Sequence, residues 1–223
     1  MGAGRFLSAA AELALPVECG GCRRPGTPWC RRCARTLDDV PLALSPRVDP
    51  AVGVWALGRY RGPLRGAIVD LKEHRRRDLA SVLGRALARG LVTLAEWEQL
   101  PAGECLQLIP APTRTLAARR RGGDPVTAVA YDAARRLGAR VGVAPVLHSA
   151  AWARDSAGLG AGARTVNLAG AVRVARRLPD GLSAGPAVLV DDVLTTGATA
   201  AVSVAALRRR GVRVAAVVVL AGA

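Results

Sequence analysis

The stretch PAVLVDDVLTTGAT, residues 186–199, decides how this chain is read. Ala187 to Val190 form an apolar run of the kind a strand needs when a parallel sheet is covered on both faces. Asp191 and Asp192 follow at once. The next residues, Val193, Leu194, Thr195, Thr196, Gly197, Ala198 and Thr199, turn toward a predicted helix at 199–211. Gly197 permits a tight backbone, the three threonines offer hydroxyls, and the free amides of a helix start make an anion site. Carboxylates repel a phosphate, so the two aspartates must address another part of the same ligand: a sugar diol, a Mg²⁺ or a developing cation. A ribose 5-phosphate unit offers all of this within one molecule. A Walker A loop ends in Gly-Lys-Ser/Thr, which this stretch lacks. A receiver domain carries its acidic pair near its beginning, whereas only residues 193–223 follow here. The remaining alternative is a capped turn in which Asp192 holds backbone amides, a task for which one side chain suffices.

Working outward, "VGVWALGRY" (52–60), "CLQLIPAP" (105–112), "VGVAPVLH" (141–148) and "VRVAAVVVL" (212–220) read as further strands. Residues 62–94 read as mostly helical. Residues 124–139 form a helix capped by Asp124, with Pro125 at its first position and a stop near Gly138. Gly211 is the expected C-cap of the helix at 199–211. Apolar strands alternating with helices predict an α/β fold with a mostly parallel sheet flanked by helices. The 223 residues suffice for one such domain and a small attachment. Aromatics are only 3%, so Val, Leu and Ala must fill the core. Cys105 is expected in that core as a buried thiol.

The attachment is N-terminal. Cys19, Cys22, Cys30 and Cys33 have the spacing C-x2-C-x7-C-x2-C. Two such knuckles can grip a tetrahedral Zn²⁺, and four thiolates close its coordination, so the metal is structural. Arg23, Arg24, Arg31 and Arg32 flank the cysteines; they offset thiolate charge or touch nucleic acid, and the sequence leaves both open. The expected organisation is an N-terminal helix and zinc knuckle at 1–37, a proline-rich linker at 38–50 and the α/β domain at 51–223.

The net charge of +15 suits a polyanionic partner. The alternative is a G+C-rich gene that inflates arginine, since Lys72 is the only lysine and Asn167 the only asparagine. The late apolar run at 214–223 is about half of what a membrane span needs. The N-terminal segment makes a poor signal peptide, because Glu12 interrupts it. We therefore expect no membrane insertion, a cytoplasmic location, and cysteines that act as ligands rather than disulfides.

"VLVDDVLTTGAT" closely resembles the 5-phosphoribosyl 1-pyrophosphate (PRPP) binding motif of type I phosphoribosyltransferases. With the four-cysteine knuckle, the chain resembles the competence protein F (ComF) family over nearly its whole length. "YRGPLRGAIVDLKEHRRRDLA" (60–80), "IPAPTRTLAARRRGGDP" (109–125) and "RDSAGLGAGARTVNLAGAVRV" (154–174) are similar to three further family segments. Two positions depart from that pattern. Arg121-Gly122-Gly123-Asp124-Pro125 stands for Arg-Gly-Phe-Asn-Gln, and Ser156 stands for Gln.

The resemblance implies a phosphoribosyltransferase-like fold and a set of roles. Residues 193–199 would hold the 5′-phosphate of PRPP. Asp191 and Asp192 would be the catalytic carboxylates, binding the ribose hydroxyls and favouring charge that develops on the sugar. Mg²⁺ would bridge ligand oxygens. Ala111, Pro112 and Thr113 would form the pyrophosphate loop, with Arg119, Arg120, Arg121 and Lys72 as further anion ligands. Two functions follow: an enzyme that transfers or senses phosphoribosyl groups, or an accessory factor for single-stranded DNA in natural competence, with DNA or the uptake machinery as partner.

Overall fold

Pro186–Leu194 forms β7, the strand around which the molecule is built. Its valines are β-formers, and Ala187, Val188, Leu189 and Val190 are completely buried. In the computed structural model, which describes residues 17–101, 105–112, 124–149 and 172–223, β7 lies between two parallel neighbours. These are β3 (Leu106–Pro110) and β8 (Arg213–Gly222). Beyond β8 come β2 (Gly53–Ala56), parallel, and β1 (Leu42–Ala43), antiparallel; beyond β3 comes β4 (Val141–Val143), parallel. The order is β1-β2-β8-β7-β3-β4.

Alternation along each strand assigns its residues to two cores. Leu108, Val188, Val190, Val218 and Leu220 pack with α2 (Gly62–Glu73), α3 (Leu79–Glu96) and α4 (Pro125–Leu137). Ile109, Ala187, Leu189, Val217 and Val219 pack with α5 (Ala198–Arg208). The chain is therefore α/β, with a mostly parallel sheet flanked by helices, and both faces are filled by Leu, Val, Ile and Ala. An N-terminal four-cysteine cluster, including the short α1 (Arg31–Arg35), completes it.

Several expected boundaries hold for the expected reasons. Asp124 accepts the Thr127 amide at 3.0 Å, Pro125 opens α4, and Gly138 follows it with φ 89°. Other boundaries move. The predicted helical run at 62–94 is two helices, broken where Arg75 adopts φ 56°. The predicted strand at 141–148 divides at Ala144-Pro145, since Pro145 has no N–H for a ladder. Its second half, β5 (Leu147–Ser149), pairs instead with β6 (Val172–Val174) in a separate two-stranded sheet. Helix α5 ends at Arg208, and Gly211 turns the chain into β8 with φ 76°. Within residues 38–50, Leu42 and Ala43 pair with β2 as the sheet's edge. Cys105 is exposed rather than in the core, because it sits just before β3 instead of within it.

The connections β3–α4–β4 and β7–α5–β8 leave the β3–β7 pair in opposite directions. That divergence is a topological switch point, and it opens a crevice at the carboxyl ends of those two strands.

Candidate functional site at the carboxyl edge of β7

Strand β3 ends before β7 does. Its last paired residue, Pro110, lies opposite Val190, and the Ala111 amide donates to the Val190 carbonyl at 2.7 Å. Among the described residues, β7 pairs from Asp191 to Leu194 with β8 alone. The two aspartates thus lie within the strand, two residues short of its end at Leu194, rather than in the loop. Alternation puts Asp192 on the same face as Val188 and Val190, toward α2. Asp191 shares a register side with Leu189.

The face that Asp192 occupies brings it a partner. Lys72, in the last turn of α2, places its Nζ 2.6 Å from Asp192 Oδ2. The other oxygen, Oδ1, accepts the Val193 amide at 2.6 Å, and Asp191 Oδ1 accepts the Asp192 amide at 2.8 Å. Neither carboxylate caps a helix: the N-cap of α5 is Gly197, with no side-chain cap. Asp192 does hold one backbone amide, that of Val193, as the capped-turn alternative expects, but it does so within the strand rather than at the helix start, and its other oxygen meets Lys72.

Charge is distributed unevenly over the pair. Burial pushes the Asp191 carboxyl up to about 7, and the neighbouring charge of Asp192 adds to the rise. The Asp192 amide and the Lys72 ammonium oppose it without cancelling it. The pair thus offers one side chain held by Lys72 and one carboxyl that holds or releases a proton near neutral pH.

The loop beyond is shaped by its backing. Gly197 has φ 85°, and a Cβ there would lie 2.6 Å from Pro46 Cβ and 2.6 Å from the Val48 carbonyl oxygen. The Val48 amide donates to the Thr196 carbonyl at 2.9 Å. Residues 46–48 therefore press the turn from behind. Thr195 and Thr196 are exposed, Thr199 is partly buried, and Leu194 and Ala198 are buried. Ala111 and Pro112 follow the end of β3, where the Ala111 amide meets Val190, so both predicted anion loops lie at the carboxyl edge of the sheet. Thr113, Arg119, Arg120, Arg121, Ser156 and Asn167 lie outside the described residues, as does the predicted N-terminal helix.

The cysteines form a second site. The Sγ atoms of Cys19, Cys22, Cys30 and Cys33 all lie within 4.8 Å of one another. Metal–sulfur bonds of about 2.3 Å in a tetrahedron give sulfur–sulfur edges of about 3.8 Å, so the cluster could hold a metal such as zinc. Burial opposes charge on Cys19, yet the amides of Cys30, Cys22 and Gly21 bring its thiol down to about 6. Burial and the surrounding sulfurs raise Cys33. The Cys33 amide lowers Cys30 as well, so the thiolate form is favoured at more than one position.

The knuckle is bolted to α2. Arg23 makes a bidentate pair with Asp70, both bonds at 2.6 Å, and Asp70 is wholly buried. The sequence singled out Arg23 beside the cysteines, to offset thiolate charge or touch nucleic acid, whereas it pairs with Asp70. Sequence reading missed Asp70, Pro46 and Val48 as parts of either site. Only the run of charge around Lys72 hinted at Asp70, and nothing local marks the other two.

Among the described residues, the cysteines are the only group of three or more metal-ligating side chains that converge. Among them also, no helix is long and apolar enough to cross a membrane. No protein-family profile matches the chain, and no curated protein matches it.

Proposed function

We propose that the carboxyl edge of β7 binds a ribose 5-phosphate ligand, PRPP, in a type I phosphoribosyltransferase-like fold of the ComF kind. The observation that carries this reading is the meeting of three features at one switch-point crevice. They are an acidic pair beyond the last β3 pairing, a left-handed glycine turn whose Gly197 N-cap offers the helix no side-chain cap, and a lysine held against the acidic pair. The helix start and threonines suit the 5′-phosphate. The aspartates suit the ribose hydroxyls, and Lys72, with the turn at Ala111 and Pro112, suits the pyrophosphate.

Mg²⁺ is usually held largely by the substrate's own oxygens. The carboxylate oxygens here are hard donors that suit it, and the absence of a third converging ligand among the described residues favours an ion brought by PRPP. When bound it neutralises the pyrophosphate. In transfer, an acceptor nucleophile bonds to C1′ as the C1′–O bond to pyrophosphate breaks. Asp191 and Asp192 favour the positive charge that develops on the sugar.

Calorimetry with PRPP and Mg²⁺ tests the site. The double variant Asp191→Asn with Asp192→Asn should abolish binding, and unchanged affinity refutes the reading. Pyrophosphate release in the presence of a panel of bases and amines then separates turnover from sensing. A second reading, contact with single-stranded DNA, is favoured by the exposure of Arg24, Arg31, Arg32 and Arg35 around the cysteine cluster. It requires an affinity that falls steeply with salt, and a flat salt response removes it.

A further inference from the structure

We infer that Arg23 and Asp70 are a positioning pair through which the cysteine knuckle sets Lys72 against Asp192. For its ligand alone, this rests on the reading of the β7 edge as a PRPP site. Residues two apart on a helix lie about 200° apart around its axis. Asp70 therefore faces the knuckle while Lys72 faces β7, and α2 is held between the two sites.

The knuckle touches α2 along its length. A Cβ on Gly21 would lie 2.9 Å from Pro63 Cβ in the first turn, and one on Gly66 would lie 2.7 Å from the Gly20 carbonyl oxygen. At the last turn the grip becomes polar. Arg23 clamps the Asp70 side chain with two 2.6 Å bonds. The Asp70 carbonyl accepts the amides of His74 at 3.0 Å and Arg76 at 3.2 Å, closing the turn that carries Lys72. Arg76 Nη1 reaches back to the Glu18 carbonyl at 3.0 Å.

Arg23 itself adopts φ 63°, unusual for a side chain with a Cβ. Its amide donates to the Cys19 carbonyl at 2.8 Å, so the cysteine turn holds it there. His74 Nδ1 also lies 3.0 Å from Asp70 Oδ1. Loss of Arg23 leaves a buried carboxylate without its bidentate partner. The turn must then shift, and the tip of Lys72 shifts with it.

Lys72 is the only lysine, which makes it a single-site probe. Reductive ¹³C-methylation labels its Nζ, and the α-amino group gives the one other signal. In the ligand-free protein, Asp192→Asn should move the Lys72 methyl resonance, and Arg23→Gln and Asp70→Asn should move it in the same direction. Retained metal content of the cysteine cluster and a cooperative thermal transition show that each variant has folded. A Lys72 resonance that stays at its wild-type position in a folded Arg23→Gln or Asp70→Asn variant overturns the inference.

Calorimetry supplies the second arm. Arg23→Gln should weaken PRPP binding about tenfold with Lys72 present and not at all in a Lys72→Met background. An equal loss in both backgrounds means that Arg23 is merely structural, and overturns the proposal. If the wild-type protein does not bind PRPP, the functional reading falls, and the methyl resonance alone decides whether knuckle and Lys72 are coupled.

Discussion

The cysteine knuckle and the carboxyl edge of β7 are both small clusters of ionisable side chains, yet they are assembled in opposite ways. The knuckle draws its four sulfurs from residues 19–33, and one short spacing rule brings them within 4.8 Å. The β7 edge takes its aspartates from one strand, its backing from residues 46–48 and its cation from α2. A local site can be complete as soon as its own turn closes. A distributed site is only as good as the packing of the elements that bring its parts. The knuckle's contacts with α2 suggest how the first serves the second.

The strongest way to break the comparison is to remove the local site. Structural zinc contributes on the order of 10 kcal/mol to small domains of this kind. Chelation, or Cys19→Ser with Cys33→Ser, should therefore melt residues 17–37. Hydrogen exchange should show that region losing protection while β7 and β8 keep theirs; equal loss in both would mean that the knuckle and sheet fold as one unit.

Next comes the charge at the distributed site. Asp191 is held up to about 7 by burial and by Asp192, above its unfolded value of about 3.9. A raised carboxyl binds more protons folded than unfolded. Its contribution to stability is thus fully present below about pH 4 and is lost as pH rises toward 7. The unfolding free energy from urea titrations should fall across that window, by at most about 1.4 kcal/mol per pH unit from this group. Asp191→Asn should remove that part of the slope; an unchanged slope would place the proton elsewhere.

Gly197→Ala probes the backing of the loop. The positive φ and the contacts with Pro46 and Val48 predict a loss of about 2 kcal/mol, measurable by urea denaturation. A neutral result would mean that residues 46–48 yield freely. The smallest effect belongs to Lys72→Met in the ligand-free protein. Its pair with Asp192 is partly exposed, so the cost should stay below about 1 kcal/mol in thermal melts. A larger loss would make Lys72 a structural residue of the sheet edge rather than one held ready for a ligand.

Both sites were unequally legible. The cysteines could be read from spacing alone, and so could the strand, acidic pair and glycine turn at 186–199. Asp124, Pro125 and Gly138 marked the limits of α4 for the same reason, since caps and turns act over a few residues. The break at Pro145 was visible as a residue but not as a change of sheet, because which partner β5 takes depends on β6 far along the chain. The extension of β7 through the aspartates was hidden as well: a strand's end is set by whether β8 continues beside it.

The chain's residues determined by themselves the four-cysteine cluster, the apolar strands of a two-faced parallel sheet and the acidic pair before a glycine turn. Each is written in contiguous spacing and periodicity. Only the tertiary structure decided that Lys72 meets Asp192, that Arg23 locks onto Asp70 and that Pro46 and Val48 close behind Gly197. Those contacts join segments distant in sequence. Their geometry follows from how α2 packs between the knuckle and the sheet, and no local pattern carries that information.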